Sequence, residues 1–163
     1  MATINRRTLF TGGAIAVAGY AAFRLSPPAG AAETFEVVRT DDEWRRLLTK
    51  PQYVVLRARQ TEWAGSSPLN HETRAGVYHC AGCQQALFGS ATKYDSGTGW
   101  PSFWQPMDGA IATRDETALL VITQTEVHCR RCGGHLGHVF ADGPPPTGQR
   151  YCMNGIALTF EAI

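Results

Sequence analysis

The five cysteines divide into four and one. Cys80-Ala81-Gly82-Cys83 and Cys129-Arg130-Arg131-Cys132 are two C-x-x-C pairs separated by 45 residues. Each pair can set two thiolates on one side of a tight turn. Two such turns facing one another make a tetrahedral sulfur site, the coordination of a structural Zn²⁺. The long gap is no obstacle, because closure entropy grows only logarithmically with loop length. The same residues could instead pair as disulfides in an oxidising compartment, or one pair could be a redox couple. Two copies, with no strand-to-helix pattern around either, favour one structural zinc held by all four. Four thiolates would leave no open position for hydrolytic chemistry.

The fifth, Cys152, sits in Arg150-Tyr151-Cys152-Met153-Asn154. In a strand, Arg150 and Asn154 share the face of Cys152. A guanidinium there favours a thiolate, and an amide offers both donor and acceptor. Upstream, His135-Leu136-Gly137-His138 places two imidazoles three apart, and Gly97-Thr98-Gly99-Trp100-Pro101-Ser102-Phe103-Trp104 joins a flexible turn to large aromatics. Thiol, imidazole and aromatic together suggest a nucleophilic cysteine beside an apolar pocket. Singly, each has a blander reading: a histidine near a strand is usually a satisfied core or surface group, and a Trp-Pro turn is usually packing. Their joint occurrence carries the inference.

The elements that must position these groups read as two short helices followed by strands. Thr40-Asp41-Asp42-Glu43 supplies an N-cap and first-turn acids, with Trp44, Leu47 and Leu48 at i, i+3 and i+4. Pro51 opens a second helix through Leu56. Beyond residue 76, apolar runs are short and broken by Gly, Pro and Asp; residues 77–79, 118–123 and 156–160 predict strands. Asp142 to Gly148, with three consecutive prolines, predicts an exposed loop. The picture is an antiparallel sheet or barrel entered through short helices.

The chain has 163 residues, 44% hydrophobic and 18% charged, which excludes wholesale disorder. No apolar run reaches the length of a spanning helix. The first 32 residues carry Arg6, Arg7 and Arg24 and no acid, leaving 12 basic against 14 acidic residues in 33–163. A mildly acidic body argues against nucleic-acid binding. Asn5-Arg6-Arg7-Thr8-Leu9-Phe10 precedes an Ala/Gly-rich stretch with 16 uncharged residues between Arg7 and Arg24, then Ala29-Gly30-Ala31-Ala32. This pattern resembles a twin-arginine export signal over 1–32, which predicts an exported, periplasmic protein with no stable membrane span once mature. An amphipathic helix or an uncleaved anchor is the other reading of these residues.

Taken in order, Cys80-x-x-Cys83, Ser96-Gly97-Thr98-Gly99-Trp100-Pro101-Ser102-Phe103, Cys132-Gly133-Gly134-His135-Leu136-Gly137-His138-Val139-Phe140 and Arg150-Tyr151-Cys152-Met153-Asn154 resemble the B-type methionine sulfoxide reductases. The likeness runs through most of 41–163. It implies a mainly β domain, 33–163, with two antiparallel sheets in a barrel-like pair and zinc on Cys80, Cys83, Cys129 and Cys132. It also implies reduction of the R epimer of methionine sulfoxide, free or in proteins, with a thioredoxin-like or other external thiol as reductant. By motif, the nucleophile falls on Cys152, with Arg150, Asn154, His135 and His138 around it, and the wall for the sulfoxide methyl falls on Trp100 and Phe103. A sulfoxide oxygen leaves only when protonated, so an imidazole is its natural donor, His138 ahead of His135. Many members carry cysteine where this chain has Thr98, and serine where it has Gly155; the first departure touches mechanism, the second local packing. A non-catalytic zinc-ribbon module is the alternative, but it leaves Cys152 and both histidines idle.

Overall fold

Both helices form because each has a reciprocal cap. In α1, Asp41–Leu47, the Thr40 side chain accepts from the Glu43 amide while Glu43 reaches back to the Thr40 amide. Thr49 and Gln52 repeat the device at α2, Lys50–Leu56. Trp44 and Leu48 are buried, but Leu47, expected on the same face, is 53% exposed. With only two turns of helix, the apolar stripe narrows to the i, i+4 pair, and Leu47 falls on its solvent flank.

The computed structural model describes residues 33–118 and 122–163; the segment read above as an export signal lies outside them. Among the described residues, nine strands follow the helices: β1 Gly76–Cys80, β2 Ala86–Gly89, β3 Lys93–Tyr94, β4 Ser102–Phe103, β5 Ile111–Ala118, β6 Ile122–Cys129, β7 His135–Phe140, β8 Arg150–Met153 and β9 Leu158–Ala162. They make two antiparallel sheets, one of order β2-β1-β9 and one of order β3-β4-β8-β7-β6-β5. The mainly β, two-sheet expectation holds.

Two strand boundaries differ from the sequence reading. Residues 118–123 do not form one strand: Ala118 closes β5 and Ile122 opens β6, and the two pair opposite one another. Residues 119–121 lie outside the described residues. Both strands are largely polar, and backbone pairing tolerates that on an edge hairpin. Residues 155–157 are a 3₁₀ turn, so the last strand begins at Leu158. The cause is Glu62, whose carboxylate accepts from the Gly155 and Ile156 amides at 2.6 and 3.0 Å. Those amides are thereby withdrawn from strand pairing.

The core lies where Tyr78, Leu87, Phe88, Phe103, Leu136 and Met153 meet, all wholly buried. Phe88 and Phe103 stack at 4.3 Å, with Tyr78 edge-on to Phe103 at 4.9 Å. This aromatic cluster fixes how the strands lie on one another, and through them the groups described next.

Candidate active site

Each C-x-x-C pair closes a tight turn between paired strands. At the end of β1 the Gln84 amide donates to the Cys80 carbonyl (2.8 Å), and at the end of β6 the Gly133 amide donates to the Cys129 carbonyl (2.8 Å). Gln84 and Gly133 both take the left-handed backbone this turn requires, at φ +59° and +68°. The first turn belongs to the three-stranded sheet and the second to the six-stranded sheet. Their sulfurs converge: Cys80–Cys132 is 3.8 Å, Cys83–Cys129 is 3.5 Å, and all four sulfurs lie within 4.8 Å of one another. A tetrahedron with Zn–S bonds of about 2.3 Å has edges of about 3.8 Å, so the set fits one zinc ion. The sulfurs are too far apart for disulfides, which need about 2.05 Å, and none of the five cysteines is disulfide-bonded. Four largely buried sulfurs this close cannot all ionise without a cation among them. The four cysteines form the site of one structural zinc that ties the two sheets together. The helices cover it: Leu56 approaches Gly82 and Gly134, and Arg57 donates to the Cys132 carbonyl at 3.0 Å.

The other chemistry lies along one cross-strand row of the six-stranded sheet. Tyr94 pairs with Ser102, Ser102 with Cys152, Cys152 with His138, His138 with Glu126, and Glu126 with Arg114. Directly opposed residues share a face, so five strands deliver neighbours to Cys152 without a long loop. His135 joins them through a bulge. It is three residues before His138, a spacing that would put it on the other face of a regular strand, but β7 has one extra residue where Val127 and His128 face Gly137 and His135. The rings of His135 and His138 end 5.4 Å apart, edge to face.

Asn154 holds that bulge. Its backbone and side-chain amides both donate to the Leu136 carbonyl, at 2.8 and 3.1 Å, and its Oδ1 accepts from the Glu62 amide at 2.9 Å. Asn154 still borders the cleft, but its acceptor and one donor are committed to the frame. Glu62 in turn accepts the Trp100 indole proton on its carbonyl (3.2 Å). One residue therefore ties Trp100, Asn154 and the 3₁₀ turn together. Arg150 reaches the same side, as expected. Its guanidinium is bidentate to Asp142 at 2.8 Å for both bonds and lies 4.4 Å over the Phe140 ring. Asp142 is held below its ordinary carboxylate value by that pair.

A cleft of about 220 Å³ opens over this row, bordered by Thr61, Trp100, Gln124, His138, Phe140 and Cys152 among others. Its size suits a side chain rather than a cofactor. None of the four zinc cysteines borders it. Phe103 is a correction: it faces Tyr151 rather than Cys152 in the register, is wholly buried, and stacks in the core. The second aromatic of the cleft is Phe140.

Behind the histidines, Glu126 is fully buried and meets His135 Nδ1 at 2.7 Å, with Arg59 and Arg114 on its oxygens. Burial would raise its carboxyl, but hydrogen bonds from His135, Arg114 and Arg59 outweigh it and hold the group well below the ordinary carboxylate range. An ionised Glu126 can only accept, so His135 carries its proton on Nδ1. His138 is shifted down, first by burial and then by the neighbouring His135, which favours its neutral form. Sequence reasoning missed Glu62, Glu126, Arg59, Arg114 and Phe140. Only Phe140 had a local signal, its position two residues after His138 on the same strand.

Gly137 lets β7 and β8 meet at this point. A Cβ there would lie 2.1 Å from the Cys152 carbonyl oxygen and 3.0 Å from Met153 Cα. Gly137→Ala should therefore displace the backbone of Cys152, lowering stability by roughly 3 kcal/mol and the melting temperature by about 10 °C. Thermal unfolding followed by circular dichroism checks this, and an unchanged midpoint would contradict the packing described.

The SelR domain model matches residues 48–162. The chain is 52% identical over 128 residues to a peptide methionine sulfoxide reductase MsrB of Leifsonia xyli, covering 78% of this chain and 92% of that one. It is 45% identical over 128 residues to that of Agrobacterium fabrum, covering 78% and 95%. It is 46% identical over 127 residues to that of Leptospira interrogans, covering 78% and 97%. With the zinc cysteines, the histidine bulge and the Cys152 cleft all inside the matched span, the chain belongs to the MsrB family of SelR-domain methionine sulfoxide reductases.

Proposed function

We propose that this chain reduces the R epimer of methionine sulfoxide, in oxidised proteins or free, with Cys152 as nucleophile. The observation that carries the reading is the Cys152 thiol opposite His138 at the floor of a small cleft bordered by Trp100 and Phe140, in a chain so similar to MsrB enzymes. The sulfoxide methyl packs on Trp100, and the oxygen turns toward the histidines. The Cys152 sulfur bonds to the sulfoxide sulfur; the oxygen, taking the thiol's proton by way of His138, passes to the Cys152 sulfur as the S–O bond and the new S–S bond break, and methionine departs; the thiol becomes a sulfenic acid. His138 meets the oxygen, and His135, pinned by Glu126, sets its orientation. Arg150 supports the thiolate with a charge already shared with Asp142. A non-catalytic zinc module would have no use for this cleft.

An external dithiol of the thioredoxin class completes the cycle. Its first sulfur attacks the Cys152 sulfenic acid, releasing water and forming a mixed disulfide; its second thiol displaces Cys152 and leaves as an internal disulfide. Stereochemistry tests the substrate reading. Purified R and S epimers should be turned over at rates differing by at least about 100-fold, the discrimination a shaped polar site can reach. Comparable rates on both would refute the assignment.

The site of action is part of the same proposal. Arg6-Arg7, the weakly hydrophobic stretch after them and the small residues 29–32 support twin-arginine export to a periplasm, with the fold and its zinc assembled beforehand. Replacing Arg6 and Arg7 by lysine should leave the protein in the cytoplasm, as read by cell fractionation. Normal export of that variant would rule the route out.

A further inference from the structure

Three hydroxyls run in a chain behind Cys152. Thr98 Oγ1 lies 3.8 Å from Cys152 Sγ, Ser96 Oγ lies 2.8 Å from Thr98 Oγ1, and Ser102 Oγ lies 2.7 Å from Ser96 Oγ. At the far end, Ser102 Oγ donates to the Trp100 carbonyl at 3.1 Å. The chain is held at both ends by the fold. Ser102 is wholly buried and pairs with Cys152 across β4 and β8, and Thr98 stands between Gly97 and Gly99, whose left-handed φ values of +70° and +89° set the turn.

The carbonyl end sets the direction of the whole chain. A carbonyl can only accept, and each hydroxyl has one proton to give. Ser102 gives its proton to the Trp100 carbonyl, so Ser96 must donate to Ser102. Thr98 must then donate to Ser96. That leaves Thr98 with a lone pair, and no proton, facing the Cys152 sulfur. We propose that Thr98 is a hydrogen-bond acceptor for the Cys152 thiol proton, a brake that holds the resting nucleophile as an aimed thiol instead of stabilising its thiolate. The proposal deepens the reading of Cys152 as the reactive sulfur and rests on it. It also gives Thr98 a function that differs in kind from thiol exchange, which a hydroxyl cannot perform.

Other groups act on the same sulfur. His138 faces it from β7, Arg150 with its partner Asp142 stands two residues before it on β8, and Tyr94 lies in its row on β3. A variant that changes only the hydroxyl chain leaves all of them in place, so the difference from the parent isolates Thr98.

The test is the pH dependence of iodoacetamide labelling at Cys152, read by peptide mass spectrometry on zinc-loaded protein. Thr98→Val keeps the shape of the side chain and removes the acceptor. Its labelling profile should move to lower pH by about 0.5 to 1 unit, a threefold to tenfold faster reaction below the midpoint, the worth of one hydrogen bond. Ser102→Ala keeps the Thr98 hydroxyl but removes the anchor, frees the chain to reverse, and should move the profile the same way. Thr98→Ser should restore the parent profile. A shift of Thr98→Val to higher pH, or none, would overturn the proposal, as would an unmoved Ser102→Ala. Labelling needs no sulfoxide, so a protein that labels as expected yet reduces no methionine sulfoxide would count against the reductase reading alone.

Discussion

Cys152→Ser should lose methionine-forming activity by at least about 1,000-fold, with the fold intact. A serine hydroxyl ionises far above neutral pH, and even ionised it could not accept the sulfoxide oxygen as a sulfenic acid. Among the described residues, no other thiol borders the cleft to replace it. The substitution swaps one small half-buried side chain for another, so the melting temperature should stay within a few degrees of the parent. The same scheme fixes what accumulates without a reductant. Thr98 stands where many relatives of this type have a second cysteine, and the remaining four cysteines are committed to zinc. One equivalent of methionine sulfoxide should therefore leave Cys152 as a sulfenic acid, trapped by a dimedone-type reagent and found at Cys152 by mass. Recovered turnover in Cys152→Ser would end the reading of this residue as nucleophile. A disulfide from Cys152 to a zinc cysteine, formed as fast as methionine appears, would end the one-cysteine cycle.

The parts of this site legible in the sequence are those whose partners are close in the chain. C-x-x-C spacing is a property of one turn, so the zinc cysteines could be named and the structure brought them together. Arg150 and Cys152 share a face because strands alternate, and that rule needs no tertiary knowledge. The family motif puts Phe103 on the methyl wall beside Trp100, but β4 is only two residues long and its pairing turns Phe103 into the core. Alternation along β7, applied from His138, leads instead to Phe140. The bulge that brings His135 beside His138 has no local signature, because it is made by the Asn154 amides on the Leu136 carbonyl, 18 residues away. Glu62 reaches Gly155 across 93 residues, and Arg59 reaches Glu126 across 67. Such pairs are chosen by topology, and each residue alone reads as an ordinary surface charge. The buried Glu126 is the clearest case: its sequence neighbours Thr125 and Val127 give no hint that one imidazole and two guanidiniums meet on it.

Cys83→Ser should lose zinc and much of the stability together. Metal analysis of the parent should give one zinc per chain, and the variant should fall well below it, because a neutral hydroxyl is a poor replacement for a thiolate ligand. The two C-x-x-C turns belong to different sheets, so the ion is a cross-link between them. Among the described residues, few other bonds cross at this end: Leu56 packs onto Gly82 and Gly134, and Arg131 donates to the Cys83 carbonyl at 3.2 Å. Zinc binding in such sites is folding free energy, so losing a ligand should lower stability by about 5 kcal/mol and the melting temperature by roughly 15 °C. The damage should also reach the cleft. Cys132 stands three residues before His135, at the start of the strand that carries both histidines, so loosening the second turn loosens the bulge. Turnover should therefore decline more steeply with temperature in Cys83→Ser than in the parent, while added dithiothreitol leaves the parent's zinc and melting point unchanged. A zinc-free variant that melts and turns over like the parent would show that the cross-link is not what holds the sheets together.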